Sequence, residues 1–101
     1  MAGKELPAAL KECEAALAGR PGEPAFLDSR GLVYLRLGEL SKAIADYDAA
    51  LAKQQFPDSY YGRGIAKLKL GRKAEGEADL EHARTLDARV VDRFKQAGLA
   101  P

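Results

Sequence analysis

Gly31 and Gly64 stand 33 residues apart, and four other places line up at the same offset. Leu37-Gly38 matches Leu70-Gly71, Leu27 matches Tyr60, Tyr47 matches Leu80, and Ala50 matches Ala83. The stretch before joins at an offset of 34, with Ala9, Cys13, Ala16 and Leu17 against Ala43, Tyr47, Ala50 and Leu51. The stretch after joins at 34 as well, Phe94 and Gly98 falling against Tyr60 and Gly64. A chain that repeats itself at such a period folds as stacked like units, because one unit alone leaves a face unburied. In 101 residues there is room for two full units with a half unit at each end.

The units are helical. Nineteen Ala and fourteen Leu stand against six β-branched residues, which favours helices over strands. Helical periodicity punctuated by Gly and Pro predicts segments over about 7–18, 24–37, 40–53, 58–71, 72–86 and 88–98. Pro7 suits a first helical turn, and Asp58 and Asp87 suit N-caps. Gly38 and Gly71 suit the left-handed residue that ends a helix. The connections are short, so successive helices are expected antiparallel. Gly31 and Gly64 mark close helix crossings, with Ala43 and Ala50 as the small surface opposite and Leu27, Tyr34 and Tyr47 filling wider gaps.

This arrangement resembles the tetratricopeptide repeat, whose pattern spreads an aromatic, Leu-Gly, Tyr, Ala, Phe and Pro over about 34 residues. Arg30-Gly31, Tyr34, Ala43-Ile44, Tyr47 and Ala50-Leu51 follow it in order; Gly64, Gly71, Leu80 and Ala83 follow it again. In the second unit Lys67 replaces the Tyr and Gly76 the first Ala. Arg30 and Arg63 occupy a slot often filled by Leu, so their stems are expected to pack and their heads to be solvated. The resemblance implies an all-α array, a right-handed superhelix of antiparallel helix pairs. It divides the single domain 1–101 into a half-repeat helix (7–18), repeat 1 (24–57), repeat 2 (58–87) and a C-terminal capping helix (88–98).

Chemistry in the chain is sparse. His82 is the single histidine and is placed on the outer, solvated side by the repeat register. Cys13, the single cysteine, sits where Tyr47 and Leu80 sit and reads as a small buried or half-buried thiol. Gly62-Arg63-Gly64 lies within a helical pattern, so it is not a phosphate loop. No enzyme activity, cofactor or metal is expected. Sixteen basic residues against fifteen acidic ones give a net charge of +1, which holds neither nucleic acid nor an anionic membrane. Arg63, Lys67, Lys69, Arg72 and Lys73 cluster, but the acids Glu75, Glu77 and Asp79 follow at once, so they read as a solvated face. No apolar run approaches the ~18 residues a membrane helix needs. Met1 to Glu5 lack the apolar core of a signal peptide, so the chain, taken as whole, is expected in the cytoplasm.

The resemblance implies protein–protein interaction, as an adaptor or scaffold, with the first helix of each pair lining a concave groove for a peptide segment or partner helix. The groove places are Asp28, Leu32, Leu35 and Arg36, then Tyr61, Ile65, Leu68 and Lys69. Asp28, Arg36, Tyr61 and Lys69 would orient a ligand, and the aliphatic residues would bury it. The competing expectations are that these residues pack on the neighbouring repeat or the last helix, and that the chain is a structural spacer or a self-associating C-terminal segment. The carboxylate clamp of some members needs Asn on the inner helices; this chain has none, and Ser29 and Gly62 stand there. The chain begins with the second helix of one pair and ends with the first of another. An Ala9, Cys13, Ala16 face and a Phe94, Gly98 face are thus left to meet in weak end-to-end self-association.

Overall fold

The computed structural model describes residues 2–101, with side chains from Glu5 onward. Six helices follow in order: α1 (Ala2–Gly19), α2 (Pro24–Leu37), α3 (Leu40–Leu51), α4 (Pro57–Lys69), α5 (Lys73–Leu86) and α6 (Val90–Gln96). Among the described residues there is no strand. α2 and α4 both start on a proline, whose missing N–H costs nothing where the helix has no partner for it. Asp58 is therefore not the cap; Phe56 holds that place in extended backbone. Pro7 does not open α1 either, since the helix starts upstream of it and carries it inside. Asp87 is not the cap of α6 either: Arg89 holds that place, and Asp87 ends α5, its carboxylate accepting the Arg89 N–H at 3.0 Å in the turn between them.

α2 and α4 end in the same way. Gly38 and Gly71 adopt φ of 79° and 85°, and the following Glu39 and Arg72 N–H groups reach back to Tyr34 and Lys67 carbonyls at 2.9 Å. Each turn sends the chain back antiparallel along the helix it has left. α2 approaches α4, and α4 approaches α6, whereas among the described residues the backbones of α1 and α3, and of α3 and α5, stay apart. The first helices of the pairs therefore form the narrow, inner side of the array.

Close approach is set by glycine. Gly62 and Gly64 face opposite ways from α4. A Cβ on Gly62 would collide with the Tyr47 ring of α3, and one on Gly64 would lie 2.8 Å from the Gly76 carbonyl of α5. The Gly76 that departs from the repeat pattern thus lets two backbones meet. Tyr47, 1% exposed, wedges between Gly31 and Gly62 and fills the space both vacate. One core runs through Leu35, Ala43, Tyr47, Tyr61, Ile65, Leu80 and Ala83 to Val90 and Phe94 of α6.

The heads of Arg30 and Arg63 are only partly solvated, each being held by a buried carboxylate. Arg30 donates to both carboxylate oxygens of Asp46 at 2.7 and 2.8 Å, and Arg63 to both of Asp79 at 2.8 and 2.9 Å. Asp46 and Asp79 are only 6% and 7% exposed. A buried carboxylate needs a matched partner, and a guanidinium fork supplies two parallel bonds. The pair recurs 33 residues on, tying the two helices of each repeat. Asp79 takes a further bond from Lys67 at 3.0 Å, so the lysine in the tyrosine slot completes this network. Burial pushes the Asp79 carboxyl up, and the bonds from Arg63 and Lys67 bring it net below the usual range. Hydrogen bonding to Asp79 raises Arg63 further above its ordinary value, against the cost of burial.

Candidate functional site

α6 packs on α4 and α5, as α4 packs on α2 and α3, and so takes the next place in the stack. Phe94 stacks on Tyr61 with ring centroids 4.9 Å apart and planes at 50°. Arg93 bonds to Asp58 at the start of α4, while Arg36, in the last turn of α2, donates to the Ala97 carbonyl at 3.3 Å. α6 ends early at Gly98, φ 77°, where the Leu99 N–H returns to the Phe94 carbonyl at 2.9 Å. Gly98 is thus a helix terminator with nothing within 4 Å of its Cβ direction, not a second Gly64. The turn brings Leu99 onto the core.

This placement divides the eight groove residues. Leu35, Tyr61 and Ile65 are 3%, 2% and 1% exposed and belong to the core, so they offer no contact surface. Leu68 is half-buried, and a Cβ on Gly76 would touch it, so it packs on α5. Asp28 and Leu32 remain half-buried at the inner face, with Arg36 exposed beside them. Lys69 is exposed in the last turn of α4.

Where α2, α4 and α6 meet lies a cavity of about 90 Å³, walled by Leu32, Phe94, Ala97 and Leu99 and by Asp28, Asp58, Arg93 and Tyr47. It holds a few waters or the end of one side chain. Asp28 and Asp58 also border a shallower cleft of about 310 Å³, with Ala25, Ser29, Phe56 and Pro57, between the starts of α2 and α4. Two features of the cavity stand out. The Tyr47 hydroxyl is the one buried side-chain polar atom without a hydrogen-bond partner among the described residues. Burial, then the nearby carboxylates of Asp28 and Asp58, push that hydroxyl far above its usual range, so it stays a neutral donor. Asp28 accepts the Ser59 hydroxyl at 2.6 Å but, among the described residues, pairs with no cation. Burial raises its carboxyl, Ser59 opposes that, and Asp58 adds to it.

Asp58, Tyr47, Ser59, Arg93 and Phe94 were not legible as site residues. Asp58 reads as a cap, Tyr47 as core, and Phe94 as part of an unpaired end face. A usable signal was the pair of glycines flanking the Tyr47 ring, which leaves its hydroxyl against α4.

The remaining chemistry-bearing residues do not converge. His82 is exposed on α5 with its ring 4.3 Å from that of Tyr60. Cys13 is half-buried, and burial raises its thiol while Arg30 lowers it. Among the described residues no cluster of three His, Cys, Asp or Glu side chains could hold a metal ion. Nor, among the described residues, is any helix long and apolar enough to cross a membrane. The basic cluster is broken up: Arg63 and Lys67 are bound to Asp79, and Arg63 also to Asp48 at 2.7 Å. The end-to-end contact loses one of its two surfaces, since Phe94 is buried in its own core.

A family model described as TPR repeat matches residues 31–71. No curated protein and no solved structure gives a match.

Proposed function

On the premise that this is a tetratricopeptide-repeat protein, of a family whose repeats generally mediate protein–protein interaction, we propose that it is an adaptor or scaffold module. It holds a peptide segment or partner helix on the inner side of α2 and α4. The observation that carries the reading is the Tyr47 hydroxyl, buried and without a hydrogen-bond partner among the described residues, at a cavity lined by Asp28 and Asp58. A buried hydroxyl without a partner costs about 1–3 kcal/mol, and phenylalanine would fill the same core without that cost. A carboxylate such as Asp28, half-buried with no cation, is likewise no help to folding. A peptide group entering the cavity would give the hydroxyl an acceptor in place of water.

Asp28, Leu32, Arg36 and Asp58 are the contact residues in this reading. Lys69 meets a ligand long enough to run to the far end of α4, and Leu35, Tyr61, Ile65 and Leu68 support the surface from beneath. The test is selection of a random displayed-peptide library on the full chain, followed by amide chemical-shift titration with a selected peptide. Shifts centred on Asp28, Leu32, Ser59 and α6 are expected. No enriched sequence, or shifts confined to the outer face of α1, would overturn the reading in favour of a structural spacer.

A further inference from the structure

Resting on that reading of the inner face, we propose that the peptide it holds seats a lysine or arginine side chain in the cleft between the starts of α2 and α4, against Asp28 and Asp58. α6 stays where it is, with Val90 and Phe94 0% and 5% exposed in the core, and serves as a wall of the site.

The charges around the site leave one carboxylate over. Arg93 bonds to Asp58 and Asp87, and Arg89 to Asp87, so two cations meet two carboxylates there. Arg36 lies eight residues beyond Asp28 on α2, about 12 Å along the helix, and donates to the Ala97 carbonyl. Asp28 accepts the Ser59 hydroxyl at 2.6 Å and, among the described residues, meets no cation. It is half-buried, and burial and the Asp58 charge both work against its ionised form. A positive group brought to this place relieves both, and in a partly desolvated site such a pair is stronger than one on the open surface.

The Tyr47 hydroxyl is a second, independent sign of a ligand. Tyr47 is 1% exposed, and its unpaired hydroxyl lines the cavity that Asp28 and Asp58 also line. A neutral hydroxyl in this setting lacks an acceptor, which no cation can supply. The two needs together, a cation for Asp28 and an acceptor for Tyr47, are met by a basic residue and a peptide carbonyl beside it. The space is shaped for them. The cleft of about 310 Å³ has room for one long side chain, and Ala25, Phe56 and Pro57 line it beside the carboxylates, where they cover the aliphatic stem. Leu32 and Leu99 line the adjoining cavity, so the residue next to the basic one meets an apolar floor.

The experiment selects a random displayed-peptide library on the full chain and, in parallel, on the full chain carrying Asp28→Asn; circular dichroism reports that the variant stays folded. Lysine or arginine should be enriched at one position of the peptides taken by the unaltered chain, and not in those taken by the variant. The most enriched peptide is then synthesised with a fluorescein label and its binding read by anisotropy. Replacing its basic residue by norleucine should weaken binding about tenfold or more, as should Asp28→Asn in the chain. The two changes together should cost little more than either alone, because each removes the same pair. Tyr47→Phe, which keeps the ring, should weaken the basic and the norleucine peptide by the same factor. Selected peptides that shift the amides of Leu32 and Ser59 but show no basic preference, or bind the Asp28→Asn chain equally well, would overturn this inference and leave the inner face a ligand site. A library that enriches nothing on either chain would overturn both readings.

Discussion

Alanine at Gly64 tests the closest helix crossing in the chain. The added Cβ would sit 2.8 Å from the Gly76 carbonyl oxygen and 2.9 Å from Leu80 Cδ2, where ordinary contact begins at 3.4 Å. Leu80 can turn aside, but the carbonyl belongs to the backbone of α5. The helices must therefore part by roughly half an ångström, and a gap of 0.5–1 Å forfeits about a quarter to a half of each contact along the seam. Overpacking of this kind costs about 1–3 kcal/mol, and a clash with rigid backbone belongs at the upper end. Alanine's better helix propensity offsets about 1 kcal/mol. The net loss is then about 2 kcal/mol, or about 8–16 °C in the melting temperature of a domain this size. Thermal unfolding by circular dichroism measures it. Gly19→Ala is the control: the same change at the end of α1, with nothing within 4 Å, should leave the melting temperature equal or slightly higher. A Gly64→Ala chain that melts at or above the unaltered chain would refute the backbone crossing of α4 and α5.

Asp79→Asn should cost about 1–3 kcal/mol at neutral pH, because Arg63 and Lys67 lose their shared buried carboxylate and keep only the exposed ones of Asp48 and Glu75. The folded Asp79 carboxyl lies below its unfolded value, so its contribution is complete above about pH 4 and is lost as the pH falls through the folded value. Urea unfolding at a series of pH values should show a steeper acid loss in the unaltered chain than in this variant, and parallel profiles would count against it. Asp28 has the opposite sign: its carboxyl is raised on folding, so its charge costs stability at neutral pH and the cost disappears in acid. Asp28→Asn should therefore be neutral or stabilising by up to about 1 kcal/mol while weakening any basic ligand; marked destabilisation in the same unfolding assay would show that Ser59 needs the charge. With Phe94 buried, analytical ultracentrifugation should find a monomer at submillimolar concentration, and concentration-dependent growth abolished by Cys13→Arg would restore end-to-end docking.

The inner-face site was half legible. Asp28, Leu32 and Arg36 follow from the repeat register and lie at the cavity or beside it. Leu35, Tyr61 and Ile65 follow from the same register but are core, buried in one cluster with Val90 and Phe94 of α6. Register locates a face on a helix. It does not say what lies on that face, where the seven-residue α6 brings Val90 and Phe94 before the turn at Gly98. The buried Arg–Asp pairs were present in the sequence as Arg30 to Asp46 and Arg63 to Asp79, each sixteen residues apart. Spacing of that length crosses a loop between helices, and only the packed pair brings the two ends together.

By itself the sequence determined the helices, their order and their period. Those depend on local choices, such as propensity, proline at a start and glycine at a left-handed stop, and on a pattern repeated at 33 residues. The fate of the inner face was decided only by tertiary structure. A seven-residue helix has no preference of its own strong enough to place it, and its position follows from Val90, Phe94 and Leu99 finding the core while Arg93 finds Asp58. The unpaired hydroxyl of Tyr47 belongs to that level too. It results from three helices meeting around one ring, a geometry that no single segment of the chain contains.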